Sequence, residues 1–426
     1  MTNPTVVDTT PHPNWDARYE RKAITLLAIG FGLVGLDRFI IAPLFPLIAE
    51  DLGLTYQDLG LISGVLALTW GLASVWAGNL SDRIGCKRVL VISVIAFSVL
   101  VAVSGLATGL VSLLVIRGLM GFAEGGFVPA SIVATVRASK PSRVGMTVGI
   151  QQMAAPLVGL GLGPIIAIGL LRILPGWEWV FATVALPGFL VAYLIARTIK
   201  DDTGPAVAED EKEPKKIPPP SFREAFRYRN VVFGALAMFC FLSSLHTLAA
   251  FMPNYLTDHI NLSIDQMGFV FSSLGIGGVL GMIVVPAISD RLGRKVVMSA
   301  AMLLAVLALA GVIRTTNPLA ISIGLFVLSS MISGVVAITI GPLINGSVPR
   351  TIAATATGIV AGLGEIFGGA IAPALAGGLA EAHGIHIIPY VSLSAAALGF
   401  VVVVFGLKEP DPAPQAAPLV KGTEPL

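Results

Sequence analysis

Four charged residues stand inside stretches that are otherwise apolar. Asp37 and Arg38 interrupt "GFGLVGLDRFIIAPLFPLIAEDL", and Arg117 and Glu124 lie in "RGLMGFAEGGFVPAS". A charge at the centre of a lipid-spanning helix costs about 2.5–3.5 kcal/mol on insertion scales, so a chain that carries four has a use for them. The residue types suggest which use. A guanidinium matches the two oxygens of a carboxylate with its planar fork, and a desolvated Asp or Glu takes up a proton more readily than one in water. Ionised together, the four sum to zero. A proton on Asp37 or Glu124 would free an arginine for an incoming anion, which couples proton binding to anion binding. The competing reading is structural, since buried ion pairs often do no more than fix helix packing.

Positioning such a set requires membrane helices. The 426 residues are 55% hydrophobic and 12% charged, where ordinary soluble proteins are about 25% charged. The near balance of 27 basic and 25 acidic residues gives no sign of nucleic-acid binding. Two cysteines, Cys86 and Cys240, are too few for a disulfide framework or a structural zinc site. Five histidines, with His12, His383 and His386 outside the apolar runs, offer no nucleophile–base or metal constellation, so neither an enzyme nor a cofactor is expected, and protons serve as the coupling ion. The polar opening lacks the layout of a cleaved signal peptide, so the first run is expected to be retained.

Twelve runs are long enough to cross a hydrocarbon layer about 30 Å thick: 23–49, 58–80, 89–106, 110–136, 146–171, 177–199, 231–256, 267–288, 296–313, 319–344, 352–379 and 387–407. With both termini cytoplasmic, all but Arg38, Arg117, Arg172 and Arg314 of the 27 Lys and Arg fall on the cytoplasmic side, as the positive-inside rule demands. The expected organisation is an all-α membrane protein: a tail (1–22), a six-helix bundle (23–199), a charged, Pro-rich cytoplasmic linker (200–230), a second six-helix bundle (231–407) and a tail (408–426). Within the linker, "FREAF" suits a short surface helix. Asp37 and Glu124 each lie 14 residues into their runs, about 21 Å along the axis and near the midplane. Arg117, seven residues before Glu124, lies on the same face about 10 Å closer to the outside.

The bundles repeat. "LSDRIGCKRV" (80–89) returns as "ISDRLGRKVV" (288–297), an offset of 208, and the spacing of Gly60 to Asp82 equals that of Gly268 to Asp290. Parallel six-helix repeats are one way to build a carrier with a midplane site. "GNLSDRIGCKR" (78–88) resembles the loop signature of the major facilitator superfamily, with Cys86 where the family usually has Arg. The resemblance implies twelve helices in two pseudo-symmetric halves. It also implies a conformational latch at Asp82, Arg83, Gly85, Asp290 and Arg291 that holds the halves together in the outward-facing state.

"LDRFIIAPLFPLI", "RGLMGFAEGGFVPAS" and "WEWVFATVALPGFL" are similar to segments of the anion:cation symporter family. That likeness implies uptake of an organic anion, in many bacterial members with protons, with Asp37 and Glu124 carrying the proton and Arg38 and Arg117 the substrate. Gln151, Gln152, His246, Asn254 and Tyr255 are further candidate substrate contacts; their amides suit a sugar acid or hydroxy acid. His246, at the repeat position of Arg38, is alternatively a packing residue. Glu365 in "GLGEIFGGAIAP" is either a second proton site or a polar packing group. The segment "GLGLGPIIAIG" (159–169) departs from the anion-carrier pattern and partly resembles the Gly-Pro motif of drug/proton antiporters, which leaves export of a drug or metabolite as the alternative. The expected partners are a small organic anion and the bilayer, the expected state a monomer, and the expected place a bacterial plasma membrane.

Overall fold

A computed structural model describes residues 16–200 and 222–409; residues 75–80, 82, 83, 222, 223, 350, 351 and 354 are described by their backbone only. The described chain is helical throughout, without a strand. Lipid offers no partner to backbone N–H and C=O groups, and a helix satisfies them within itself. Among the described residues, eleven helices are long and apolar enough to cross a membrane: Ala17–Leu52, Cys86–Ser104, Leu110–Ala138, Pro141–Leu171, Trp177–Thr198, Arg229–His259, Ile264–Leu292, Arg294–Ile313, Pro318–Leu343, Thr355–His383 and Ile385–Gly406. The second expected run corresponds to Tyr56–Ile84, a helix of 29 residues. Helix ends fall within a few residues of those read from the sequence. "FREAF" contributes the single-turn helix Phe222–Ala225, and residues 201–221 of the linker lie outside the described chain.

The internal repeat extends to backbone angles. Tyr56–Ile84 and Ile264–Leu292 have equal length at an offset of 208, and each opens with a capping box, Thr55 with Asp58 and Ser263 with Gln266. Each ends on a glycine in the left-handed range: Gly85 at φ 91° and Gly293 at φ 91°. A residue with a Cβ is strained there, so both loops turn at the same place for the same reason.

The first membrane helix is two helices, Ala17–Phe39 and Ile41–Leu52, meeting at Ile40. Pro43 has no N–H to give the carbonyl of Phe39, four residues earlier, which weakens the helix at this point. Asp37 and Arg38 sit just ahead of that break. Wider, π-type turns follow Pro156 (Leu157–Leu162) and Pro253 (Tyr255–His259), and another spans Gly364–Ile371 around Glu365. Such turns recur at functional sites.

Both ends of the described chain face one side. The Lys200 N–H donates to the Tyr19 hydroxyl at 3.2 Å, and Asn230 Nδ2 donates to the Lys408 carbonyl at 2.9 Å. On the far side the first six helices meet the last six. Tyr56 donates its hydroxyl to Asp258 at 2.7 Å and its N–H to Glu381 at 3.2 Å, and Arg172 pairs with Asp265 at 2.7 Å. Beneath these links, helix Tyr56–Ile84 lies against Thr355–His383, the eleventh crossing helix when Tyr56–Ile84 is counted as the second, where Gly60 and Gly64 abut the carbonyls of Pro373 and Ala370. Gly275 meets the backbone of Gly161 in the same way. Small residues let membrane helices approach this closely.

Candidate functional site

Arg117, on Leu110–Ala138, is 1% exposed. Its Nη1 donates at 2.9 Å to the backbone carbonyl of Asp37, beside the break in the first helix. Its Nε and Nη2 have no hydrogen-bond partner. The Phe181 ring lies 5.9 Å below the guanidinium, holding the cation by its negative face. One helical face and two turns further on, Glu124 is fully buried, and neither carboxylate oxygen has a partner. Asp37, 3% exposed, feels the charges of both Glu124 and Arg117. The sequence led us to expect each carboxylate in the grip of a guanidinium. Glu124 is instead unheld, and Arg117 binds a carbonyl, because the turn at Ile40 presents the Asp37 backbone to it.

Arg38 takes a different partner. Its Nη2 donates to Glu365 Oε1 of the Gly364–Ile371 turn, an ion pair between the first and last six helices, with both side chains 14% exposed. The same nitrogen lies 3.4 Å from His246 Nε2. The two positions related by the repeat offset thus meet across the molecule. Phe39 stacks on the His246 ring at 6.4 Å, and the Phe39 and Trp70 rings lie 5.5 and 5.6 Å from the guanidinium. Trp70 Nε1 is buried without a partner among the described residues. Arg38, Arg117, His246, Ser63 and Gly369 line one cavity of about 30 Å³, room for a water or two.

The amide candidates divide. Gln151 is fully buried, with its Nε2 on Ser131 Oγ at 2.7 Å and its Oε1 accepting from Thr135 at 3.0 Å. Both ends of its amide are occupied within the first six helices. Gln152, one residue on, is half-buried. Asn254 and Tyr255 lie with the far-side links: Asn254 Nδ2 reaches Asp258 at 3.3 Å, and Tyr255 packs on His259 at 5.2 Å. The Asn254 Oδ1 is unpartnered. His386 packs on His259 at 5.9 Å, and no group of three or more His, Cys, Asp and Glu among the described residues is placed to hold a metal ion.

Of the latch residues, Gly85 makes its turn, Asp290 and Arg291 are exposed at the turn of Gly293, and the side chains of Asp82 and Arg83 lie outside the described ones. Sequence reasoning missed Glu409, whose carboxylate accepts the first N–H groups of Arg294–Ile313, from Arg294 at 2.8 Å and Lys295 at 2.7 Å. An acid is favoured at a helix N-terminus, but nothing local in the tail predicts which helix it will cap. Trp70 was missed as well; its only signal was an indole donor within an apolar run.

A family model described as the Major Facilitator Superfamily matches residues 27–363 and 234–425. The chain belongs to that superfamily. The superfamily fold also appears in solved structures. A bacterial homologue of the human lysosomal transporter Spinster, in an inward-facing and unoccupied conformation, superposes with a TM-score of 0.72 at 18% identity, covering 91% of this chain and 95% of that one. Among curated relatives, the hexuronate transporter of Bacillus subtilis is 27% identical over 61% of this chain and 62% of its own length. The probable sulfoacetate transporter SauU of Cupriavidus necator is 25% identical over 63% and 65%. The tetracenomycin C resistance and export protein of Streptomyces glaucescens is 31% identical over 52% and 38%. The chain thus spans less than two thirds of the length of these relatives. As a superfamily member with its many apolar helices, it is a multi-pass membrane protein.

Proposed function

We propose that the protein is a secondary carrier that imports a small organic anion together with protons, by alternating access, across a bacterial plasma membrane that it crosses twelve times with both termini inside. The observation that carries this reading is the pair Arg117 and Glu124: a buried guanidinium with two nitrogens idle among the described residues, and two turns along the same helix a buried carboxyl with two idle oxygens. An unpartnered buried donor costs about 1–3 kcal/mol, and more when charged. A site that keeps such groups empty is built for a partner that comes and goes. A substrate carboxylate satisfies Arg117, and a proton satisfies Glu124 or Asp37. Each lowers the cost of the other, so the two travel together. No cofactor is needed beyond the coupling proton.

Two relatives named for acids, a hexuronate and sulfoacetate, support an anionic substrate. The far-side links through Tyr56 and Arg172 correspond to the inward-facing end of the cycle. The test is uptake into proteoliposomes. An inward proton gradient should drive accumulation of a carboxylate, D-glucuronate first, and a protonophore should abolish it. Uptake that ignores the gradient and requires sodium overturns the proton assignment.

Export of a drug or metabolite is the second reading. It rests on the Gly-rich turn Leu157–Leu162 ahead of Pro164 and on the tetracenomycin exporter among the relatives. Adding substrate to loaded vesicles separates the two, because a symporter alkalinises the compartment that the anion leaves and an antiporter acidifies the one that gives up the drug.

A further inference from the structure

Arg38 and Arg117 line the same cavity, but only Arg38 has a carboxylate in place. That carboxylate, Glu365, comes from the other set of six helices. It occupies the kind of fork that a carboxylic acid substrate would bind, and its side chain is as accessible as that of its partner, 14% exposed in each case. The surroundings of Arg38 are furnished beyond what Glu365 uses. The Trp70 ring flanks the guanidinium, with its Nε1–H unpartnered among the described residues. An ion pair present only for packing would have no need of a spare donor beside it.

We propose that Glu365 is a built-in stand-in for the substrate: its carboxylate holds Arg38 in the empty carrier, and the entering anion displaces it, taking Arg38 and the Trp70 Nε1–H in its place. This rests on the anion-carrier reading and deepens it. Two consequences follow from the geometry. The exchange occurs on a residue of the first helix while the displaced group belongs to the eleventh crossing helix, so binding severs a link between the halves. Apparent affinity is also reduced by the fraction of time that Glu365 occupies Arg38, in the same way that a minority binding-competent state weakens binding.

The test is Glu365→Gln in the full-length protein, which keeps the shape and the hydrogen-bonding oxygen but removes the competing charge. D-Glucuronate binding should tighten by about tenfold, the amount expected when a competent state rises from a tenth of the population to nearly all of it. Trp70→Phe should weaken binding of D-glucuronate while leaving the melting temperature of the empty carrier unchanged. In parallel, spin labels on Thr108→Cys and Thr316→Cys, exposed far-side positions in the two halves, report separation in a background lacking Cys86 and Cys240. The Gln variant should shift that distance distribution toward longer values without any anion present. Equal or weaker glucuronate binding by Glu365→Gln overturns the proposal, as does an unchanged distance distribution. If neither wild type nor variant binds glucuronate, the sugar-acid reading fails, and the distance distribution alone decides the role of Glu365.

Discussion

The two arginines of the cavity are neighbours with opposite situations. Arg117 is enclosed by the first six helices, tied by one nitrogen to the Asp37 carbonyl and otherwise idle. Arg38 stands at the seam, its charge already answered by Glu365 from the opposite side. The first is a fixed pole, because its anchor is backbone of its own half. The second is a switching pole under the proposed alternating access, in which its partner belongs to the half that moves relative to it. A carrier needs both. A ligand held only by a fixed pole would not report its arrival to the other half, and one held only by a switching pole would have no constant place to bind.

Breaking the fixed pole should have the largest effect. Arg117→Ala should weaken D-glucuronate binding by about a hundredfold, the loss expected for charge-assisted hydrogen bonds, and counterflow in liposomes should fall with it. Arg117→Lys, which keeps a charge and loses the fork, controls for folding and should recover only part of the affinity. Next comes Glu124→Gln, which mimics the protonated acid. It should still bind and exchange substrate, yet fail to accumulate it against a gradient. Full proton-driven accumulation by this variant would move the coupling proton to Asp37.

Two smaller effects sharpen the contrast by lying off both poles. Asp290→Asn, at the exposed turn of Gly293, should slow transport several-fold with affinity unchanged, since it biases which conformation the carrier occupies and not its site. Loss of binding as deep as that of Arg117→Ala would show that the turn had been misjudged. Gln151→Leu takes the acceptor from the Thr135 hydroxyl and a donor from Ser131 Oγ, which keeps its own bond to the Val128 carbonyl. It should lower thermal stability by about 1–3 kcal/mol while glucuronate affinity stays within about twofold. A large affinity loss at unchanged stability would return Gln151 to the binding site.

What the sequence disclosed was whatever depends on local pattern. Apolar runs gave the crossing helices, and the recurrence of "SDR" loops gave a repeat whose glycines, Gly85 and Gly293, share one backbone conformation. Burial of Asp37, Arg117 and Glu124 followed from their depth in those runs. Pairing did not follow, because it depends on how helices distant in sequence rotate toward each other. Glu365 is 327 residues from Arg38, and the wide turn at Gly364–Ile371 that carries it is a perturbation of a helix that composition does not mark. The break at Ile40, which swings the Asp37 carbonyl toward Arg117, was foreshadowed by Pro43, but the direction of the swing was not. Asn254 and Tyr255 lie in the helix that their apolar run implied, and the turn after Pro253 carries them at its far end.

The far-side seam, with Gly60 and Gly64 against carbonyls and Gly275 against the backbone of Gly161, behaves like two planed boards with few dowels, Ile168 against Gly268 being one. Interlocked side chains would have to be unthreaded one rotamer at a time before the faces could part. Flat faces separate as plates and rejoin in register without a search. The balance between shut and open then falls to a few polar fasteners, the Tyr56 and Arg172 links at the rim and the Arg38–Glu365 pair beneath them. Under the proposed alternating access both positions are visited in every cycle, and such a cycle works best when neither is deep.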